Sequence, residues 1–155
     1  KPAVRWKEHD KVAVMATPAT LALPKFQELM KVYSKESDIY PVPCPGLADY
    51  VEKGIFDGEE ITEFLKGLLA PSLEKHVDAI VLGCTHYPFV EKVIQRIAGP
   101  DVKIFNGAHG TALELQRRLR IAELLTPSIE KGAVEFYSSS TNPETIKLCH
   151  QLFEA

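Results

Sequence analysis

Short runs of apolar residues alternate along this chain with longer stretches in which apolar residues recur every three or four positions. Such runs are typical of buried strands, and the longer stretches are typical of helices that pack on one face. We predict strands at five places, near residues 12–16, 39–43, 78–83, 102–105 and 134–137. Strands that alternate with helices through short connections indicate an α/β fold with a parallel sheet flanked by helices.

A few side chains predict where individual elements begin, end or lie at an edge. Pro41 and Pro43 cannot donate backbone hydrogen bonds, so the second strand should lie at the edge of the sheet. Thr20 should cap the helix after the first strand, and Pro71 should end or kink a later helix. A long helix is expected from about 111 to 125.

Composition and charge narrow the class of protein. The 155 residues carry a formal net charge of −3, which argues against a nucleic-acid-binding protein. No apolar run could span a bilayer, and the charged first residues lack the apolar segment of a signal peptide. Cys44, Cys84 and Cys149 are an odd number without CxxC spacing, which fits reduced thiols in the cytoplasm. Because the chain begins at Lys1 rather than at a methionine, we expect a fragment of a longer protein.

The candidate chemistry lies where strands end. In open parallel sheets, functional loops follow the carboxyl ends of the strands, and three of these ends carry suggestive residues. They are Thr17 with Thr20, Cys84-Thr85-His86, and Asn106-Gly107. Cys84 directly follows a buried strand, and the start of a helix beyond it would favour the thiolate. His86 could relay a proton to or from this thiol.

Simpler interpretations stand beside this one. A cysteine at a strand end is often only a small buried hydrophobic residue, and Cys44 is best explained in that way. Cys149 lies in a predicted helix near the carboxyl terminus, where packing or exposure explains it best. By its sequence position alone, Glu52 is a solvated surface charge. A zinc site with Cys84 and His86 would need a further ligand pair, which the sequence does not offer at close spacing. The glycine and serine motifs of nucleotide-binding proteins and α/β-hydrolases do not occur.

The hexapeptide Gly83-Cys84-Thr85-His86-Tyr87-Pro88 resembles the second-cysteine motif of the glutamate racemases, within the aspartate/glutamate racemase superfamily. Other segments resemble this family in the same order along the chain. They are Val14-Met15-Ala16-Thr17-Pro18-Ala19-Thr20, Cys44-Pro45, Val51-Glu52-Lys53-Gly54, residues 108–112, Phe136-Tyr137 and Asn142-Pro143-Glu144. The resemblance therefore covers nearly the whole chain.

This resemblance implies an isomerase that interconverts L- and D-glutamate by proton transfer between two cysteines. It implies no pyridoxal phosphate or other cofactor, and no metal. One thiolate would remove the Cα proton, and a second thiol would deliver a proton to the opposite face. Carried over residue by residue, Cys84 is one of the two catalytic cysteines, His86 assists it, and Glu52 orients or tunes His86.

The same resemblance implies the substrate contacts and the biological setting. Thr85 and His86, with Thr17 and Thr20, would bind the substrate. The enzyme would act in the cytoplasm and supply D-glutamate for peptidoglycan synthesis, and thereby for cell wall biogenesis and cell shape. Its partners would be the substrate glutamate and the missing amino-terminal half of the enzyme. The resemblance is also compatible with a homodimer, and we expect no binding to nucleic acid or to a membrane.

The sequence also departs from the family pattern. The family's amino-terminal half, with the Cys-Asn-Thr motif that holds the opposing cysteine, has no counterpart here, and neither Cys44 nor Cys149 lies in such a motif. We therefore expect the chain alone not to racemise glutamate. A polar Asp-Ser-Gly-like segment of the family is replaced around Asn106 and His109, and the resemblance assigns no role to these two residues.

The resemblance further predicts two domains and leaves two alternatives open. Residues 1–112 would form a racemase-type α/β domain, and residues 113–155 would be the carboxy-terminal segment of a second domain that is mostly absent. That segment should expose apolar faces unless another chain covers them. The alternatives are a racemase of aspartate or another acidic amino acid, and a non-catalytic amino-acid-binding module of the same fold.

Overall fold

Four of the five predicted strands form one sheet in the structure, a computed structural model that describes residues 2–5 and 10–154. The strands are β1 (Lys11–Ala16), β2 (Asp38–Pro43), β3 (Ala79–Leu82) and β4 (Lys103–Phe105). They lie in the order β2-β1-β3-β4, and each neighbouring pair is parallel. The predicted α/β fold with a parallel sheet flanked by helices is confirmed.

Helices connect and flank these strands. The α-helices are α1 (Pro2–Arg5), α2 (Pro18–Ala22), α3 (Pro24–Tyr33), α4 (Leu47–Glu52), α5 (Glu59–Leu73), α6 (Glu91–Ala98), α7 (Ala108–Ile121) and α8 (Pro143–Glu154), and Tyr87–Val90 form a 3₁₀-helix. None of the helices in the described residues is long and apolar enough to cross a bilayer.

The core lies between the central strands and the helices that pack on them. Side chains that are almost fully buried come from β1, β3, α4, α5, α6 and the 3₁₀-helix; they include Met15, Ile80, Leu47, Val51, Ile61, Leu65, Leu69, Val93, Ile94, Tyr87 and Val90. Burial of one such aliphatic side chain stabilises a fold by roughly 1.5–3 kcal/mol. This core therefore fixes the strand ends on which the candidate residues lie.

The strand order predicts a crevice beside β1. The chain passes from β1 outward to β2 and then crosses back to β3 on the other side of β1. At such a reversal the connections leave the sheet in opposite directions, so a crevice opens beyond the carboxyl ends of the two strands between which the order reverses. Here those strands are β1 and β3, which are followed by Thr17 and by Gly83-Cys84.

Three local predictions have clear outcomes. β2 lies at the edge of the sheet, as Pro41 and Pro43 predicted. The predicted cap was wrong, because Thr17 caps α2 by accepting a hydrogen bond from the backbone of Thr20, which lies inside that helix. Pro71 does not end its helix, since α5 continues to Leu73. The alternative, a kink at this proline, stays a prediction.

The chain divides into two units, one up to Gly107 and one from Ala108 onward. The second unit holds α7 and α8 with residues 122–142 between them, and the long predicted helix begins at Ala108 rather than near 111 and ends at Ile121. The predicted strand at 134–137 was wrong, since these residues form neither strand nor helix. A strand needs a neighbour for its backbone hydrogen bonds, and all four strands of the sheet belong to the first unit.

Apolar side chains of the second unit are largely exposed, as expected for this segment. Leu115 is 59% exposed and Ile121 is 67% exposed on α7, and Tyr137 is 86% exposed in the connection. Phe136 makes edge-to-face contacts with His150 and Phe153 of α8. The assignment of residues 113–155 to a second, mostly absent domain stays a prediction.

Candidate functional site

A row of three side chains forms at the carboxyl end of β3. The Cys84 Sγ lies 3.6 Å from the Nδ1 atom of His86. On the other side of the same ring, the His86 Nε2 atom lies 3.4 Å from the Oε1 atom of Glu52, at the last residue of α4. The imidazole therefore stands between a thiol and a carboxylate, although Glu52 precedes Cys84 by 32 residues in the sequence.

The turn that carries the thiol is held tightly against β1. Residues 83–87 form this turn, which is called the Cys84 turn below. The Gly83 N–H donates a hydrogen bond of 2.8 Å to the Met15 carbonyl oxygen and so extends the pairing of β3 with β1. A Cβ atom on Gly83 would lie 2.7 Å from that same oxygen, closer than any ordinary contact. Only glycine therefore brings the start of the turn this close to β1.

Access to solvent differs among the three side chains. Cys84 is half-buried, the His86 side chain is 33% exposed, and the Glu52 side chain is 64% exposed. A small molecule in solution can therefore reach the thiol and the ring. The exposed carboxylate makes a weaker electrostatic contact with His86 than a buried one would, because water screens the pair.

The three threonines of the prediction lie in or directly before the elements that follow β1 and β3: Thr17 follows β1, Thr20 lies in α2, and Thr85 lies in the Cys84 turn. The Thr17 and Thr20 hydroxyl oxygens are 2.9 Å apart at the end of β1, and both side chains are half-buried. Thr85 follows Cys84 directly and is exposed. Hydroxyl groups at these places could donate to a carboxylate ligand.

Cys44 is the thiol at the neighbouring strand end, after β2. Its side chain is buried, and its Sγ donates to the Val42 carbonyl oxygen at 3.2 Å. Burial raises the pKa of the Cys44 thiol to about 11, so this group stays protonated at neutral pH. The structural role expected from the sequence agrees with this environment, and an active-site thiolate at Cys44 does not.

The remaining candidates belong to other elements of the chain. Cys149 lies in α8 and His109 in α7, both in the second unit. The Asn106 side chain donates a hydrogen bond of 2.7 Å to the Glu91 carboxylate. Among the described residues no group of three or more His, Cys, Asp or Glu side chains could hold a metal ion, so the zinc alternative gains no support.

The sequence did not single out Tyr87, the residue after His86. Its side chain is fully buried, and its hydroxyl donates to the Cys44 carbonyl oxygen at 3.5 Å. An aromatic residue within a short polar motif was the only available signal, and no spacing rule connects it to Cys44.

The row has a clear chemical capability. An imidazole in contact with a thiol can accept its proton and return it, and a carboxylate on the other ring nitrogen holds the ring in place and stabilises its charged form. A half-exposed thiol beside a crevice can therefore exchange a proton with a bound ligand. Within this row of three described side chains, Cys84 is the one thiol.

Proteins similar to this chain include the glutamate racemases of several Clostridium species. A glutamate racemase from Clostridium perfringens is 42% identical over 154 residues, which make up 99% of this chain and 59% of that relative's length. The chain is a homologue of the glutamate racemases. The resemblance predicted from the Cys84 hexapeptide is thereby confirmed, although no protein-family model matches the chain.

Solved structures agree on the fold. Glutamate racemase from Francisella tularensis in complex with D-glutamate superposes with a TM-score of 0.80 at 23% identity, over 99% of this chain and 58% of that chain. The Escherichia coli glutamate racemase in complex with L-glutamate and an activator gives a TM-score of 0.78 at 21% identity, with 99% and 58% of the two chains covered. At these identities the likeness establishes a glutamate racemase fold.

The chain spans about three fifths of the length of the curated relatives that it matches. The remaining two fifths of a glutamate racemase have no counterpart among these 155 residues.

Proposed function

We propose that this chain provides one half of the active site of a glutamate racemase, with Cys84 as one of two cysteines that exchange the Cα proton of glutamate. The supporting observation is the row of Cys84, His86 and Glu52 beside the crevice between β1 and β3. Glutamate racemases are 40–42% identical to this chain, which favours glutamate over other acidic amino acids as the substrate.

The proposed roles follow from the contacts. Cys84 transfers the proton, His86 accepts and returns the thiol proton, and Glu52 orients the imidazole. Thr17, Thr20 and Thr85 would donate hydrogen bonds to substrate carboxylates, because their hydroxyl groups lie within a few residues of the carboxyl ends of β1 and β3. A free thiol ionises near pH ~8.5, so two cysteines can hold opposite protonation states near neutral pH without any cofactor.

Inversion of a carbon centre needs an acid on the face opposite to the base. Cys44 cannot supply it, because its side chain is buried away from solvent and its Sγ donates to the Val42 carbonyl oxygen. Burial also raises the pKa of this thiol to about 11, which makes it a weak acid that does not exchange its proton near neutral pH. Cys149 lies outside the Cys-Asn-Thr motif in which the resemblance places the opposing cysteine. We therefore propose that the opposing cysteine belongs to the part of a glutamate racemase that this chain does not match, and that the chain alone does not racemise glutamate.

The test joins this chain to the missing part. In a chimera, the chain replaces the 154 matched residues of the Clostridium perfringens relative, and circular dichroism follows the conversion of L-glutamate and D-glutamate. We expect racemisation by the chimera and none by the chain alone. Cys84→Ser in the chimera should lower the rate by at least ~100-fold, the usual range for a lost acid–base group.

Two controls make the outcome specific. Cys149→Ser removes a thiol of the second unit and should leave the rate unchanged. L-Aspartate should not be converted at a comparable rate. Near-normal turnover by the Cys84→Ser chimera would refute the catalytic role, and preferred turnover of aspartate would refute the substrate assignment. Binding of glutamate without any conversion by a folded chimera would instead favour a binding module.

A further inference from the structure

Tyr87 belongs to the Cys84 turn, yet nothing in the proposed proton transfer uses it. It follows His86 directly, and its side chain is 0% exposed. A buried tyrosine hydroxyl needs a hydrogen-bond partner, because leaving it unpaired costs about 1–3 kcal/mol. The partner of this hydroxyl is the Cys44 carbonyl oxygen, at 3.5 Å.

This contact joins two strand ends that are not neighbours. Cys44 follows β2 and the Cys84 turn follows β3, and β1 lies between them in the sheet. The Cys44 N–H itself donates to the Ala16 carbonyl oxygen at 3.0 Å, so the acceptor is fixed to the end of β1. The tyrosine thus ties the Cys84 turn to a point that the sheet holds still.

The same contact ties the thiol to the helix that carries its carboxylate. Cys44 leads into Gly46, which has a φ of +79° and starts α4, and α4 ends at Glu52. The Cys84 and Glu52 ends of the row are thereby linked through the Tyr87 hydroxyl. Burial raises the pKa of Tyr87 and that of Cys44, so the hydroxyl remains a donor across the range in which thiols ionise.

We propose that Tyr87 is a positioning residue, whose hydroxyl on the Cys44 carbonyl oxygen holds His86 between Cys84 and Glu52. The proposal rests on the proposed function of Cys84 and His86. Both contacts of the ring, at 3.6 Å and 3.4 Å, are long enough for a small displacement of the turn to break them. A displacement of this size is known to cost much of the rate of a proton transfer.

The test uses the rate at which iodoacetamide alkylates Cys84 in this chain, measured by peptide mass spectrometry across a range of pH. Tyr87→Phe keeps the buried ring and removes only the hydroxyl. We expect Cys84 alkylation at neutral pH to slow by about two- to fivefold, the scale of one hydrogen bond. Its pH profile should shift in the direction produced by His86→Gln, because both changes separate the imidazole from the thiol.

A double-mutant cycle separates positioning from general stability. If Tyr87 acts through His86, the variant with both changes should react like His86→Gln alone. The proposal would be overturned if the double variant slowed Cys84 alkylation by the product of the two single effects, or if Tyr87→Phe left that rate unchanged. If His86→Gln itself leaves Cys84 alkylation unchanged, the pairing of thiol and imidazole fails, and the proposal for Tyr87 fails with it.

Two controls guard against unfolding and against a trivial effect of removing a tyrosine hydroxyl. Tyr33→Phe changes another buried tyrosine, at the end of α3, and should leave Cys84 alkylation as it is. Alkylation of the buried Cys44 reports loss of structure in any variant. If Tyr87→Phe exposes Cys44, a second variant, Gly46→Ala, is used instead, because it disturbs the segment that carries the accepting Cys44 carbonyl oxygen. An unchanged rate of Cys84 alkylation in that variant, when folded, would equally overturn the proposal.

Discussion

Gly83→Ala is the change whose effect the structure defines most closely. The new Cβ atom would lie 2.7 Å from the Met15 carbonyl oxygen and 3.4 Å from the Ala16 Cβ. The Met15 oxygen belongs to the backbone of β1 and also accepts the 2.8 Å hydrogen bond from the Gly83 N–H. The methyl group therefore cannot be accommodated by a side-chain rotation, and the end of β3 must move away from β1.

The magnitude follows from three contributions. Overpacking of this kind costs about 1–3 kcal/mol, and loss of the hydrogen bond costs about 1 kcal/mol. Alanine offsets about 0.4–1 kcal/mol of this by restricting the unfolded chain. We expect Gly83→Ala to lower the free energy of unfolding by about 1–3 kcal/mol, measured by urea denaturation. Because the Cys84 turn begins at this residue, Cys84 alkylation should also change in the folded variant.

Gly67→Ala is the matched control. Gly67 lies in α5, where an added Cβ would meet nothing within 4 Å. In a helix interior this change should raise the stability by about 0.5–1 kcal/mol. The close approach of β3 to β1 would be refuted if Gly83→Ala had the same free energy of unfolding as the unchanged protein while Gly67→Ala was more stable.

Two further predictions concern electrostatics. Glu52→Gln in the chimera should slow racemisation by about two- to fivefold, because an exposed ion pair contributes up to about 1 kcal/mol. The loss should be larger at low salt than at high salt, because salt screens the pair. Glu63→Gln removes an exposed carboxylate of α5, and equal rates in the two variants would contradict the role of Glu52. Burial raises the pKa of Cys44 from 9.0 to about 11, so between these pH values the unfolded chain ionises this thiol while the folded protein keeps it neutral. The free energy of unfolding is therefore unaffected by this group below pH 9.0, and about 2–3 kcal/mol is lost as the pH rises through 11. Denaturation across this range should therefore show a shallower loss of stability in Cys44→Ala than in Cys149→Ala, and parallel curves would contradict the burial of that thiol.

The sequence was most informative where local chemistry decides the structure. Apolar runs identified all four strands of the sheet, and the missing backbone donors of Pro41 and Pro43 placed β2 at its edge. Segment 134–137 has the same apolar pattern, but a strand also needs a neighbouring strand, and a pattern along the chain does not reveal that neighbour. Thr17 and Thr20 are both good caps, and only the backbone geometry decides which of the two begins the helix.

The site shows the same division. Cys84 and His86 are two residues apart, so their pairing was predictable from the sequence. By composition and position Glu52 is an ordinary surface charge, and only the family resemblance connected it with His86. The structure brings the two together because α4 packs against the 3₁₀-helix that begins at Tyr87, and both elements carry fully buried side chains. Contacts of this kind depend on packing between distant segments, which is also why the link from Tyr87 to Cys44 was not foreseen.

The most direct test of the central claim, that Cys84 transfers the Cα proton of glutamate, is proton NMR of the chimera in D₂O. Starting from each enantiomer in turn, the Cα proton signal reports exchange with solvent, and the optical rotation reports inversion. We predict that the unchanged chimera places deuterium on Cα as it inverts the centre. Cys84→Ser should abolish inversion from both enantiomers, while Cys149→Ser retains it. Inversion with deuterium incorporation at an undiminished rate in the Cys84→Ser chimera would contradict the account.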